Sequence, residues 1–484
     1  MKYYFKWQDK HKQILKVIYN FSGAKKIKLY IVGGALRDIF LKREKENPDI
    51  DFCLKKGAIN FARQLAKELK CGFVVLDPAH GCARLVHKAK DKIYTLDFSD
   101  FRGKDLREDL YLRDFTVNSL SLGLESVFKK NDFRRVLIDP YGGVKDLEKK
   151  VIRLVNPKAF DQDPVRILRA FSLASKFNFK IHPNTFQLAR LKKKSITQVS
   201  WERIRDELFK ILATGNAGEF IEKLDKEGML KLILPEIKLM HKLNQGPYHH
   251  LDVWGHTLET LRQLELIIKS GFKNIKIRDC LSQEISSGRQ RLELLKLAAL
   301  LHDVGKPSTL RKEKGKFTFY GHEAVGSRMI KDIAVRLKLS NEETRRLRLI
   351  TFCHLRPGYL ANNNLVTPRA KFRFFRDTAD EALSVLLLSL SDQRATKGVF
   401  ATEDSRLRHE KMIRKLIREY FKVLETKETP RLVNGDDLVN NFKLKPSPLI
   451  GKILAELDEL QGIGRIKTKK QGLKRALGII NNFS

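Results

Sequence analysis

The chain is 484 residues long and carries 95 lysines and arginines against 57 aspartates and glutamates, a formal net charge of +38 that points to a polyanionic partner, nucleic acid first. A hydrophobic fraction of 42 % over that length predicts about three domains with cores of their own rather than a disordered tail. Five cysteines without a C-x-x-C pair argue against a disulfide framework or a zinc ribbon and fit a reducing compartment, and no run of about twenty apolar residues is available to span a bilayer.

Met1-Lys2-Tyr3-Tyr4-Phe5-Lys6 lacks the apolar run of a secretory signal, so a soluble, unanchored, cytoplasmic protein is expected. Residues 1–150 mix strand and helix patterns, with strands predicted at Lys28–Val32, Asp49–Leu54, Gly72–Leu76, Ala83–Val86 and Ile93–Phe98. After the first of these, Gly33-Gly34 lets backbone N–H groups approach an anion at the start of a helix predicted over Ala35–Leu41, a position that suits a triphosphate. In Asp49-Ile50-Asp51-Phe52 the aspartates lie two apart on a strand, so both carboxylates share one face while Ile50 and Phe52 face a core. Such a pair can hold two Mg²⁺ ions roughly 3.5–4 Å apart, one activating an attacking hydroxyl and one neutralising a leaving pyrophosphate. Hard oxygen ligands favour Mg²⁺ over softer metals. Asp97, in Tyr94-Thr95-Leu96-Asp97-Phe98, is the expected third carboxylate on a neighbouring strand. A lone double glycine or a lone D-x-D says little. In this order they imply a nucleotidyl-transfer site.

From Asp163 onward the spacing of Ile167, Leu168, Phe171, Leu173 and Ala174 is helical, and helical patterns continue nearly to the C-terminus. Breaks fall near Pro235 and Gly246-Pro247 and in the charged stretch Thr396–Arg408, and a helix is expected at Leu449–Leu460 after Pro446-Ser447-Pro448. The predicted fold class is an α/β head with a mixed sheet, followed by all-α segments. The expected divisions are a catalytic head at 1–150, a helical neck at 151–235, a metal-binding helical domain at 236–400 and a helical tail at 401–484.

Residues 29–205 resemble class II tRNA nucleotidyltransferases, the group that holds CCA-adding enzymes and bacterial poly(A) polymerases. Gly33-Gly34…Arg37-Asp38 with Asp49-x-Asp51 matches the family's catalytic motif. Leu112-Arg113-Asp114-Phe115-Thr116-Val117-Asn118-Ser119 matches R-R-D-F-T-x-N-[AS], and Asp139-Pro140-Tyr141-Gly142-Gly143…Asp146-Leu147 matches the D-P-x-G-G-x-x-D-L hinge. The resemblance implies nucleotide contacts from Gly33, Gly34, Arg37, Arg113, Asp114 and Asn118, with ribose and triphosphate as their targets. Gln162-Asp163-Pro164-Val165-Arg166 is similar to E-D-x-x-R, a protein template for the incoming base. Asp163 and Arg166, three apart, are expected to share a helix face that Arg169 continues. An aspartate accepts from an exocyclic amine and an arginine donates to ring acceptors, a combination that fits C or A and rejects U or G. Two positions depart from the pattern. Leu112 stands for the first arginine of R-R-D, and Gln162 for the glutamate that orients the template arginine; Gln162 can still hydrogen-bond Arg166, and the neighbouring Asp161 is expected to compensate in part.

A second resemblance, over residues 240–395, is to HD-domain metal-dependent phosphohydrolases. His256 is expected just before a helix, His302-Asp303 at the end of the apolar helix Leu294–Leu301, and Asp392 within a later helix. The ordered set supplies imidazoles and carboxylates for one divalent ion, for which Ni²⁺, Co²⁺ or Mn²⁺ suits better than Mg²⁺. His322 and His354 lie where some HD proteins place ligands for a second metal. His249-His250 is read as a loop beside Gly246-Pro247. The tail Asn434-Gly435-Asp436-Asp437-Leu438…Pro448-Leu449-Ile450-Gly451 resembles the C-terminal helical segment of members with a central HD domain, and Lys467, Lys469, Lys470 and Lys474 are candidates for tRNA phosphate contact.

Together the two resemblances imply a Mg²⁺-dependent enzyme that uses CTP and ATP to extend the 3′ end of tRNA, with no membrane partner and an oligomeric state left open. A CC-adding, A-adding or poly(A)-adding member shares every motif. A phosphohydrolase acting on 2′,3′-cyclic or terminal phosphates, with the head as an RNA clamp, is the rival from another class; the intact Asp49/Asp51 pair argues against a catalytically dead head, and the two metal sites against a purely RNA-binding protein.

Overall fold

The computed structural model describes residues 9–43, 47, 49–89, 92–129, 133–271, 274–313, 316–362, 366–425 and 430–481, so the Met1–Lys6 segment lies outside the described residues. The chain divides into two compact units, residues 1–211 and 212–484.

In the first unit six strands form one sheet: β1 (Tyr30–Val32), β2 (Asp49–Leu54), β3 (Gly72–Asp77), β4 (Cys82–Ala89), β5 (Lys92–Asp100) and β6 (Ser121–Gly123). Their spatial order is β3-β4-β5-β2-β1-β6. The β2–β5 pair is parallel and the other neighbours are antiparallel, which makes the sheet mixed as expected. The five predicted strands form in place; β6, three residues long, is too short to show a period in the sequence. Alternation along β2 sends Ile50 and Phe52 into the core, where Phe52 stacks on Phe98 of β5 at 4.9 Å and Phe61, from the helix Ala58–Leu69, leans on Phe98 at 5.5 Å. Each aromatic side chain buried there contributes about 1.5–3 kcal/mol. Asp51 and Asp97 lie on the opposite face, where both are partly exposed.

The predicted helix after Gly33 runs Gly34–Phe40, one residue earlier than expected. Further on, the helix Val165–Phe177 ends at Asn178, whose left-handed backbone (φ +55°) closes its last turn, and is followed by Pro183–Lys192 and Trp201–Leu212.

The second unit is mainly helical, with two short hairpins (Glu284–Ser286 with Arg289–Gln290, Arg311–Glu313 with Lys316–Thr318) that the helical patterns did not announce. Its central helices, Arg291–Leu301 and Ala382–Ala395, are buried on almost every side, in keeping with their nearly continuous apolar runs. Buried Lys296 is held by Glu265 at 3.0 Å and buried Arg291 by Glu381 at 2.9 Å. Ser340 and Glu343 form a capping box that starts Asn341–Cys353. In the tail, Gly435–Phe442, Pro448–Gly462 and Lys469–Asn481 enclose a small core of Val433, Leu438, Ile453, Leu457, Leu460, Ala476 and Ile479. No helix among the described residues is long and apolar enough to cross a membrane.

Candidate functional site

At the end of β1 the chain turns through Gly33 at φ +77°, a left-handed conformation that a β-carbon would strain. A β-carbon there would also lie 3.2 Å from Asp51 Oδ2 and 3.4 Å from Arg113 Nη1, so the glycine lets both side chains close on the turn. Asp51 on β2 stands directly opposite Asp97 on β5, and Asp97 opposite Arg84 on β4, which sets three charged residues in one row across the sheet. Asp49 is exposed and Asp51 partly buried. Burial raises the Asp51 carboxyl above its ordinary range; Arg113 opposes that, while Asp97 and Asp49 add to it. Like charges crowded in this way are the environment a divalent cation relieves. Both oxygens of Asp97 are taken by Arg84, at 2.8 Å each. In the sequence Arg84 stands out only as a cation within the otherwise apolar run Cys82–Val86.

The nucleotide-contact candidates form a continuous network. Arg37 donates to Asp38 and to the Asn118 side chain, and its guanidinium lies 4.5 Å from the Phe177 ring. Asn118 donates to Asp114 Oδ1 at 3.0 Å, an oxygen that also accepts from the Phe115 N–H at 2.7 Å. Asp114 Oδ2 faces Arg169 at 3.3 Å. Burial works to raise the Asp114 carboxyl, but Arg169, Asn118 and the Phe115 N–H together bring it below its ordinary value. Arg113 is clamped by fully buried Asp109 at 3.0 Å. The D-P-x-G-G-x-x-D-L segment braces this loop from behind. Asp139 accepts from Gly143 and Val144 at 2.7 and 2.9 Å, and Asp146 accepts from the Thr116 hydroxyl at 2.7 Å. Gly143 approaches so closely that a β-carbon would sit 2.3 Å from the Thr116 carbonyl oxygen.

The expected helix face shared by Asp163 and Arg166 takes a different form. Asp163 is extended (φ −153°, ψ 98°) between two helices, because Pro164 disfavours helical geometry in the residue before it. Its Oδ1 accepts from the Val165 N–H at 3.3 Å, and its Oδ2 lies 4.0 Å from Arg166 but only 2.7 Å from Arg203. Arg166 is buried and donates to the Leu112 and Ala159 carbonyls at 3.1 and 3.3 Å and to Gln162 at 3.3 Å, the contact expected of that glutamine. Asp161 pairs instead with Lys192 at 2.7 Å, so it does not make up the missing charge. Arg169 reaches both Asp114 and Glu207, the latter at 3.8 Å. Arg203 and Glu207, from the helix Trp201–Leu212, were also missed; their i,i+4 spacing was the available signal.

In the second unit, His256 lies within the first turn of Val253–Gly271 rather than before it, His302 caps Arg291–Leu301, and Asp392 sits in Ala382–Ala395. Two clusters of donor atoms result: His256, His302 and Asp392, and Asp303, His322 and His354. Asp303 faces two ways: one oxygen lies beside His256 and His302, with which it is expected to share an ion, and the other beside His322 and His354. Its Oδ2 is 3.2 Å from His302 and 3.8 Å from His256, and its Oδ1 is 3.2 Å from His322 and 4.0 Å from His354. His302, His322 and His354 each place Nδ1 against a backbone carbonyl, of Ala299, Phe319 and Thr351, at 2.9, 2.9 and 2.6 Å. A carbonyl only accepts, so Nδ1 carries a proton, and in the neutral ring the Nε2 lone pair faces the cluster, as in metal-bound histidines. Among the described residues, neither oxygen of Asp303 nor His302 Nε2 completes a hydrogen bond of normal geometry, although Lys306 Nζ lies 2.6 Å from Oδ2. Burial, with His302 and His322 nearby, pushes the His354 imidazole down to about 3 and keeps it neutral. Orphaned buried donors of this kind fit divalent metal. His249 is in a loop as expected, yet its ring packs edge-on against His256 with centroids 4.6 Å apart.

Three families of known proteins match consecutive parts of the chain: the poly A polymerase head domain over residues 29–153, the "Probable RNA and SrmB-binding site of polymerase A" over 178–240, and the HD domain over 253–396. The A-adding tRNA nucleotidyltransferase of Deinococcus radiodurans is 30 % identical over 449 residues, covering 91 % of this chain and 93 % of that one. The CC-adding tRNA nucleotidyltransferase of Thermus thermophilus is also 30 % identical, over 452 residues and 91 % of each chain. The fold is that of the Thermotoga maritima CCA-adding enzyme solved with tRNA, with a TM-score of 0.62 at 21 % identity over 98 % of this chain and 96 % of that one.

Proposed function

The chain belongs to the tRNA nucleotidyltransferases, and from that premise we propose that it adds C and A residues to the 3′ end of tRNA from CTP and ATP. The observation that carries this reading is the Asp114 network, which ties the Asn118 and Arg37 side of the head to Arg169 and Glu207 beside the base template. Nucleotide anchoring and base selection thus share one carboxylate.

Family membership implies a divalent metal. Asp49 and Asp51 would hold it, with Mg²⁺ matching their hard oxygens; bound there it supplies activation of the terminal 3′-hydroxyl and neutralisation of the leaving pyrophosphate. Asp97, held by Arg84 on the neighbouring strand, would be the third carboxylate. The Gly33-Gly34 turn offers backbone N–H groups to the triphosphate. Arg113, locked by Asp109, sets its charge beside Asp51. Asp163, oriented by Arg203, accepts from the exocyclic amine of C or A, while Arg166 braces the template through the Leu112 carbonyl and Arg169 completes the wall. The RNA is held by shape and charge rather than by base sequence. Residues 1–150 act as head, 151–235 as neck, 236–400 as HD domain and 401–484 as tail. A tRNA substrate and five free cysteines suit the cytoplasm.

The HD centre is a second activity in this reading. His256, His302 and Asp392 would hold one transition metal, Ni²⁺, Co²⁺ or Mn²⁺, and His322 and His354 a second, with Asp303 between them; the metals supply an activated water for hydrolysis of 2′,3′-cyclic or terminal phosphates.

tRNA transcripts ending before CCA, after C and after CC, each incubated with CTP, ATP or both, test the main reading by product length. Completion of CCA on all three supports it. Growth by C alone or by a single A assigns a narrower activity, like those named for the two relatives; long A tails indicate a poly(A) polymerase; no extension refutes the reading.

A further inference from the structure

The segment between Gln245 and Leu251 folds over the HD centre and is anchored at three points. Gln245 accepts from Lys306 Nζ at 2.6 Å, the same ammonium that meets Asp303. His249 packs on His256 and feels the charges of Lys306, Asp392 and Asp303. Between these points, Gly398 and Phe400, from the loop that follows the Asp392 helix, donate backbone N–H bonds to the Tyr248 and Pro247 carbonyls at 2.8 and 3.4 Å. Gly398 is pressed so close that a β-carbon would lie 2.2 Å from the Pro247 oxygen.

This seam lies on the open side of the centre. His256, His302 and Asp303 have side chains only 0–1 % exposed, whereas Asp392, which leads into the second loop, is 21 % exposed. The seam also carries two large aromatic rings that the fold does not bury. Tyr248 and Phe400 are 57 % and 58 % exposed and pack edge-to-face with centroids 5.6 Å apart. An exposed aromatic pair beside a phosphate-competent metal centre is the arrangement that holds an unstacked base.

We propose that Tyr248 and Phe400 form the base-binding platform of the HD centre, so that its ligand is a nucleotide, or the terminal nucleotide of an RNA, whose phosphate faces Lys306 and His249. The inference rests on reading the centre as a metal site for phosphate chemistry. Lys306 is the one ammonium in contact with Asp303 among the described residues, and a phosphate brought to the metals would meet it. His249 offers a buried Nδ1 with no hydrogen-bond partner among the described residues.

The test uses full-length, Mn²⁺-loaded protein and two probes, adenosine 3′-monophosphate and orthophosphate, measured by equilibrium dialysis together with metal content. Subtracting the binding that survives in His302→Ala/Asp303→Ala protein removes nucleotide bound at the head. In Tyr248→Ala/Phe400→Ala protein the nucleotide is expected to bind about tenfold more weakly, while orthophosphate binding changes less than about twofold and metal content is unchanged. Gly398→Ala, which pries the two loops apart, is expected to give the same pattern, and Tyr248→Phe to retain nucleotide affinity. Lys306→Ala is expected to weaken both probes. Wild-type protein that binds the nucleotide no more tightly than orthophosphate, or a double variant that keeps full nucleotide affinity, overturns the platform while leaving the metal centre standing. A wild type that takes up no more metal than the His302→Ala/Asp303→Ala variant overturns the reading beneath it and the platform with it.

Discussion

Asp114→Asn isolates the carboxylate that joins the Asn118 side of the head to Arg169 beside the base template. Both hydrogen bonds from Phe115 and Asn118 fall on Oδ1, which asparagine retains, while Oδ2 alone faces Arg169. The substitution therefore exchanges one charge-assisted contact for a meeting of two donors and leaves the rest in place. Such a contact is worth about 1.5–3 kcal/mol, and with the Arg169 side chain 42 % exposed the lower end applies. About 1.5 kcal/mol corresponds to roughly a tenfold fall in kcat/KM for ATP on a tRNA ending in CC. Asp114→Ala also frees Asn118 and, through it, Arg37; loss of a buried, paired charge of this kind costs about 3–5 kcal/mol, or about 10²- to 10⁴-fold. Single-turnover extension gives the rates, and urea unfolding separates lost stability from lost catalysis. The stability effect depends on pH with a defined sign. Folded Asp114 titrates below its ordinary carboxylate value, so its contribution is present above the unfolded pKa of about 3.9 and is lost as the pH falls through the lower folded one. Asp114→Asn should flatten that acid limb. Rates within about twofold of wild type for both variants, with the alanine no worse than the asparagine, would refute the network as the link between anchoring and selection.

Asp49→Ala or Asp51→Ala should cut nucleotide addition by about 10³-fold, roughly 4 kcal/mol, with tRNA affinity nearly intact in a filter-binding assay; near-normal incorporation by both would sink the site. Asp163→Ala should raise misincorporation of U and G, and Arg203→Ala should do so to a lesser degree because it only orients the carboxylate; unchanged preference among the four nucleoside triphosphates in both would remove the template role. tRNA affinity should fall steeply with salt, since a chain of net charge +38 displaces many counterions on binding; a log–log slope near zero would show the charge is not used for RNA. His302→Ala/Asp303→Ala should leave addition largely unchanged, and Mn²⁺ should raise the melting temperature of wild type but not of this variant; equal shifts in both would place the metal elsewhere.

What the sequence by itself determined follows from short-range rules. The face shared by Asp49 and Asp51, the buried Ile50 and Phe52, the glycine turn and the apolar run that delivers His302 all depend on strand or helix period over a few residues, and each stands where that period puts it. Asp163 shows where such rules fail: a spacing of three suggests one helix face, but Pro164 breaks the helix between the two residues. The remaining decisions needed the tertiary structure because they join positions far apart in the chain. Arg84 meets Asp97 only through the antiparallel register of two strands, and Arg203 reaches Asp163 across forty residues. Asp303 turns one oxygen to each histidine cluster because His256, His302, His322, His354 and Asp392 are carried by separate packed elements whose separation no local pattern encodes. Residue chemistry names the candidates for a site; the packing of whole helices and strands decides which of their charges face one another, because electrostatic partnership depends on distance in space rather than distance along the chain.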